Sequence, residues 1–178
     1  MTLFLKSRFL SAVKSGKTQK VKDYLTEGAD PNSTDGSGYT ALMLAAAEGH
    51  MDIIEILFEH GVDVNQTAKI RGLHGSATEG YTPLMAACGD MAGHTAVIKR
   101  FLRAGAQVNA LDSEGMGAMM CAVSFGHLEA VKILIKAGAN VKLKYGSGKN
   151  IYTLIHVAKQ DNYTEIVDHL IAAGAPEK

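Results

Sequence analysis

Gly38-Tyr39-Thr40-Ala41-Leu42-Met43-Leu44-Ala45-Ala46 decides the fold, because it does not occur only once. It returns as Gly80-Tyr81-Thr82-Pro83-Leu84-Met85-Ala86-Ala87-Cys88. A looser copy runs Gly115-Met116-Gly117-Ala118-Met119-Met120-Cys121-Ala122-Val123. A fourth reads Asn150-Ile151-Tyr152-Thr153-Leu154-Ile155-His156-Val157-Ala158. Repetition of this kind outranks any single local pattern, since it marks architectures built by stacking one unit.

A second pattern alternates with the first. Gly28-Ala29, Gly61-Val62, Gly105-Ala106, Gly138-Ala139 and Gly174-Ala175 lie 33, 44, 33 and 36 residues apart. Eight, seven, four and three places before each glycine stand Lys20, Val21, Tyr24, Leu25; Ile53, Ile54, Leu57, Phe58; and Val97, Ile98, Phe101, Leu102. The last two sets are Ala130, Val131, Leu134, Ile135 and Ile166, Val167, Leu170, Ile171, so Lys20 alone breaks the rule. That spacing puts one apolar stripe on each of five helices. The glycine suits a helix C′ position, where a left-handed backbone is costly for any residue with a Cβ.

Here the sequence resembles the ankyrin repeat family, whose unit of 33 residues is a turn followed by two helices and whose motif is T-P-L-H-x-A. Gly49-His50, Gly93-His94 and Gly126-His127 look like that family's turn between the two helices. The resemblance runs from about Phe9 to Ala175. It implies an all-α fold: an ankyrin repeat solenoid of stacked helix-turn-helix units with protruding β-turn or hairpin loops, in one elongated right-handed stack. The expected organisation is a single ankyrin repeat domain over 1–178. Its units are an amino-terminal cap repeat (1–38), a repeat with a long loop insertion (39–80), repeats at 81–115 and 116–150, and a carboxy-terminal capping repeat (151–178). The motif's His is replaced by Met43, Met85, Met120 and Ile155, so its usual hydrogen bonds are not expected. Asp161, Asn162, Thr164, Asp168 and His169 make the last unit polar enough to face water, as a stack end requires.

Composition narrows the function classes. Eighteen basic and 18 acidic side chains cancel, which argues against a general polyanion binder. Hydrophobic residues at 47% and charged residues at 20% describe a globular chain rather than a disordered one. Aromatic residues at 6% beside 19 glycines favour closely stacked elements over a ring-filled core. Two cysteines are too few for a disulfide scaffold and fit a reducing compartment. Lys6 and Arg8 interrupt the opening apolar residues, so no export signal or membrane span is expected, and the asparagine sequons carry no weight. A soluble cytoplasmic protein is the expectation.

Catalytic readings weaken one by one. His50, His94 and His127 recur once per unit, so they should project from successive layers rather than converge. His60 and His169 fall on helix ends or outer faces, and His156 on a first helix. Cys88 and Cys121 lack a nearby base or metal-ligand partner in sequence and read as buried thiols. Tyr145-Gly146-Ser147-Gly148-Lys149-Asn150 resembles the end of a phosphate loop. It lacks the earlier glycine and the Ser or Thr that follows the lysine. Met43, Met85, Met119 and Met120 recur with the unit and read as interior. No catalytic residue, cofactor or metal site is assigned, and an enzyme is not expected.

The resemblance implies a partner-binding concave face of turn tips and the exposed sides of first helices. Position by position it selects Tyr39, Ala47 and Glu48, then Tyr81, Asp90 and Met91, then Ser113, Glu114, Met116, Ser124 and Phe125, and finally Ile151, Lys159 and Gln160. Tyr39, Tyr81 and Phe125 fit either aromatic anchors for a partner or packing on the neighbouring unit. The extra length between Asn65 and Tyr81, with Lys69, Ile70, Arg71, Gly72, Leu73 and His74, fits a basic, partly apolar finger or a surface insertion without a role. Net charge runs +2, −4, 0, +4 and −2 through the five units, with Lys142, Lys144 and Lys149 crowding one turn. The expected function is a non-catalytic adaptor or inhibitor that binds another protein. An immunity or antitoxin-like role against one enzyme is the alternative. No nucleic acid, membrane or small-molecule substrate is expected as partner.

Overall fold

A computed structural model describes residues 2–71, 77–89, 93–147 and 150–176. Among them ten helices form consecutive pairs: α1 (Thr2–Lys14) with α2 (Thr18–Thr26), α3 (Ala41–Ala47) with α4 (Met51–Glu59), and α5 (Pro83–Cys88) with α6 (Thr95–Arg103). α7 (Ala118–Ser124) pairs with α8 (Leu128–Lys136), and α9 (Leu154–Gln160) with α10 (Thr164–Ala172). The first members, the inner helices, stack in chain order from α1 to α9, and the outer members contact α2 to α4, α6 to α8 and α8 to α10. This is the ankyrin solenoid the repeats imply.

The two helix types are built differently because they are buried differently. Every residue from 41 to 46, from 83 to 88 and from 118 to 123 is buried. A helix enclosed on all sides needs no polar face, and its many alanines let neighbouring helices come close. Outer helices bury one stripe: Ile53, Ile54 and Leu57 in α4, Val97, Ile98 and Phe101 in α6, Ala130, Val131 and Leu134 in α8. These are the residues the glycine-based spacing selects. Lys20 is exposed on α2, which packs on α1 and α4 at one end of the stack. At the other end Ile171 of α10 is 41% exposed, whereas its counterparts Phe58, Leu102 and Ile135 pack partly against the core.

Three of the inner helices, α3, α5 and α9, start on a repeated device. The hydroxyl oxygens of Thr40 and Thr82 accept from the Met43 and Met85 backbone N–H at 3.2 Å, and that of Thr153 accepts from His156 N–H at 3.1 Å. Such a side-chain acceptor satisfies one of the amide groups a helix start leaves unpaired. The Thr153 bond corrects the reading of the fourth copy by one residue. Thr153 stands where Thr40 and Thr82 stand, so His156, not Ile155, occupies the motif's His place. Tyr152 is then the counterpart of Tyr39 and Tyr81. Sequence alignment on the apolar run alone missed this, because the run continues across the cap.

The links between pairs alternate between two forms. Before α3 and α7 the chain makes a turn closed by a single bridge, Thr34 to Thr40 and Leu111 to Gly117. Asp35 Oδ1 accepts from Ser37 and Tyr39 N–H, and Asp112 Oδ1 from Glu114 and Met116 N–H, which fixes both turns. Before α5 and α9 the link is an antiparallel hairpin. β1 (Ala68–Arg71) pairs with β2 (Ala77–Tyr81), and β3 (Lys144–Ser147) with β4 (Asn150–Thr153). The extra length after Asn65 thus contributes to a hairpin, and the phosphate-loop-like string lies in another, not at a strand-to-helix turn. Gly148 and Lys149, like Gly72, Leu73 and His74, lie outside the described residues.

Candidate protein-binding face

The fingers are tied into a row. Gly38, at φ +93°, lets the Lys69 carbonyl approach so closely that a Cβ there would overlap it. Glu79 N–H donates to Ser113 Oγ at 3.0 Å, and Ser113 N–H donates to the Glu79 carbonyl at 2.8 Å. Glu114 accepts from Thr78 Oγ1 at 3.1 Å and from the Tyr145 hydroxyl at 3.5 Å. Ser113 and Glu114, expected to face a partner, are therefore engaged in joining the first hairpin to the second through the turn between them. Burial, and after it the Glu114 carboxylate, raises the Tyr145 pKa.

Among its described residues, the insertion turns Ile70 inward. Ile70 is 7% exposed and Thr78 3%, so the inward side of the hairpin is packed on the stack. Lys69 projects outward and pairs with Glu79 across the hairpin at 2.6 Å, which offsets its charge and holds the Glu79 carboxyl below its usual pKa. Arg71 ends β1.

Tyr39 and Tyr81 meet edge to face, ring centroids 5.7 Å apart at 69°. Burial raises both phenol pKa values, most strongly that of Tyr81, and for Tyr39 the neighbouring Asp35 charge adds to it. The packing role of these two rings is thus present in the structure; any contact with a partner is additional to it. Phe125 differs. It caps the carboxy-terminal end of α7, is 47% exposed, and stacks on His127 at 6.0 Å and 12°. Met116 and Ser124 are half-buried, while Glu48, Ile151, Lys159 and Gln160 are exposed. With the corrected register, Asp161 rather than Gln160 matches Glu48 and Phe125. Asp90 and Met91 lie outside the described residues.

Sequence reasoning missed α1. Ser7 stands nine residues before Gly16, as Thr40 stands before Gly49, a spacing that marks α1 as a further inner helix. Its residues Lys6, Leu10 and Lys14 line a groove of 610 Å³ closed by the first turn and by Leu44 of α3.

The turn histidines bridge layers instead of gathering at one point. His50 Nε2 lies 3.1 Å from the Lys14 carbonyl, and His94 Nε2 lies 2.9 Å from that of Ala47. His127 covers Gly93, and in the last pair Tyr163 covers Gly126. Cys88 and Cys121 are buried free thiols. Burial pushes Cys88 up and Cys121 up to about 12, the neighbouring Cys121 sulfur and the Asp112 charge adding respectively. Both are thiols, not thiolates, at neutral pH. His156 is exposed beside Tyr152, ring centroids 5.0 Å apart. Among the described residues no three His, Cys, Asp or Glu side chains are grouped to hold a metal, and no helix is long and apolar enough to cross a membrane.

The family profile for ankyrin repeats, in three copies, matches residues 9–109 and 68–145. The chain belongs to the ankyrin repeat family. A Danio rerio protein named as palmitoyltransferase ZDHHC13 is 30% identical to this ankyrin chain over 168 residues, 94% of this chain and 24% of that protein. Human Ankyrin repeat and SOCS box protein 6 is 29% identical over 82% of this chain and 34% of its own length. Human Rabankyrin-5 is 30% identical over 92% of this chain and 13% of its own length. The ankyrin chain therefore spans between 13% and 34% of the length of these relatives. Ankyrin repeats in general are protein–protein interaction modules.

Proposed function

We propose that this ankyrin repeat chain is a non-catalytic, cytoplasmic binding module that holds one partner protein against the face formed by its fingers and inner-helix ends. It acts as an adaptor or inhibitor, without nucleic acid, membrane or small-molecule substrate. The reading takes residues 1–178 as one domain divided at 38, 80, 115 and 150. The observation that carries it is Phe125: a large ring left 47% exposed at the end of α7, a helix whose residues 118–123 are all buried in the stack. Exposed aromatic rings on a rigid scaffold are the usual anchors of protein interfaces. Glu48 and Asp161 at the equivalent helix ends, with Ser124 and Gln160 beside them, supply a polar rim. Burial, which raises the pKa of both thiols, leaves neither cysteine poised as a nucleophile.

The test is affinity capture from the source cells with three forms of the full chain: unmodified, Phe125→Glu, and Arg103→Glu on an outer helix. A partner retained by the unmodified and Arg103→Glu forms and lost by Phe125→Glu supports this face. Loss with Arg103→Glu and retention with Phe125→Glu would assign binding to the outer helices instead.

A further inference from the structure

Resting on that reading, we propose that the amino-terminal end of the inner face docks an extended peptide segment whose side chains run acidic–x–aliphatic–x–acidic. Lys6, Leu10 and Lys14 follow one another at four-residue steps of α1, hence on one side of the helix. They line the groove of 610 Å³ between α1, the first turn and Leu44. Leu10 and Leu44 are its apolar residues, 6% and 7% exposed. Lys6 and Lys14 have no ion-pair partner among the described residues, unlike Lys69, Arg100 and Lys132. Asp35 also lines the groove, but its Oδ1 is turned into its own turn by two backbone N–H donors.

The spacing selects the occupant. Eight residues of helix separate the two lysines by about 12 Å along the axis. An extended segment covers about 13 Å in four residues and points residues i, i+2 and i+4 to the same side. Carboxylates at i and i+4 then reach Lys6 and Lys14 together, and an aliphatic side chain at i+2 falls midway, over Leu10 and Leu44. Ser7 and Ser11 lie between the lysines on the groove wall, placed to bond the segment's backbone. The like-charged pair supplies attraction and register, and the buried aliphatic side chain supplies area.

The test is fluorescence anisotropy with a labelled synthetic peptide, glutamate–serine–leucine–serine–glutamate between glycines, titrated with the full chain. Saturable binding is expected, weakened roughly tenfold or more by Lys6→Glu with Lys14→Glu, and likewise when serine replaces the peptide's leucine. The charge-reversed chain should in turn bind the peptide in which lysines replace the glutamates, which also shows that it is folded. No saturable binding to the unmodified chain overturns the proposal, as does equal affinity for the charge-reversed chain. Displacement by an oligothymidylate as effective as by unlabelled peptide also overturns it, since the lysines would then be reading charge alone. The titration uses no cellular partner: its failure removes this groove only, while loss of the Phe125-dependent capture removes the reading beneath it.

Discussion

The imidazole of His94 lies directly over Gly49, so that a Cβ added to the glycine would come within 2.5 Å of the ring's Cε1. The same ring reaches the Ala47 carbonyl with Nε2, at 2.9 Å. One histidine thus closes the turn of the preceding pair both sterically and by a hydrogen bond, and the arrangement repeats along the stack.

Gly49→Ala should therefore be worse than Gly61→Ala. Both glycines have left-handed backbones, φ +73° and +75°, but nothing lies within 4 Å of a Cβ at Gly61. Gly61→Ala should cost about 1–2 kcal/mol, the conformational penalty alone. Gly49→Ala should cost about 1–3 kcal/mol more, from forcing the His94 ring aside. In a His94→Ala background the excess should vanish, a double-mutant cycle readable by urea denaturation. Equal losses at the two glycines would contradict the ring contact.

Thr82→Ala should destabilise by about 1 kcal/mol, because the Met85 amide loses its acceptor at a helix start where no backbone carbonyl can replace it. The denaturation midpoint should fall at unchanged slope. Thr82→Ser should retain most of the stability. If serine is as harmful as alanine, the hydroxyl is not the feature that matters.

Glu55 and Arg100 join α4 to α6 through two hydrogen bonds, 2.6 and 2.9 Å, while the same guanidinium lies 4.7 Å from the Phe58 ring centroid. The Arg100 hydrogen bond holds the Glu55 carboxyl below its usual 4.5. A folded-state pKa lowered in this way contributes stability above the unfolded value and loses it as pH falls through the folded one. Glu55→Gln should thus destabilise at neutral pH by no more than about 1 kcal/mol, the pair being partly exposed. Towards strongly acid pH the two proteins should converge, which thermal melts across pH will show. A gap that widens in acid would reverse the assignment.

Cys88 and Cys121 should be silent to a thiol reagent in the native state. Both are buried, and with Cys121 pushed up to about 12 its thiolate is scarce at pH 8. Labelling should proceed only through unfolding, with both sulfurs reacting together once urea crosses the midpoint. Prompt labelling of one cysteine would mean the inner helices open locally around it.

Much of this was legible without coordinates. The apolar stripe before each glycine is a helical period that any burial of one face enforces, and Ile53, Leu57, Phe101 and Leu134 lie in the core where it places them. What misled was the cap of the fourth copy. Whether Thr153 or Tyr152 starts α9 depends on a hydroxyl reaching the His156 amide, a contact that composition does not encode. Likewise Ser113 and Glu114 read as free turn residues until the hairpin beside them is seen to use them. Lys69 and Arg71 read as a basic finger until Glu79 stands opposite Lys69.

The linear order of residues by itself determined the repeat, the helix pairs and the small-residue interior. Those follow from local period and from a stacking unit that must bury the same face each time. Tertiary structure alone decided which side chains remain for a partner. Tyr39 and Tyr81 occupy one repeated position and fill each other's surface, whereas Phe125 and the lysines of α1 keep theirs, because exposure depends on what the neighbouring layer places opposite each residue.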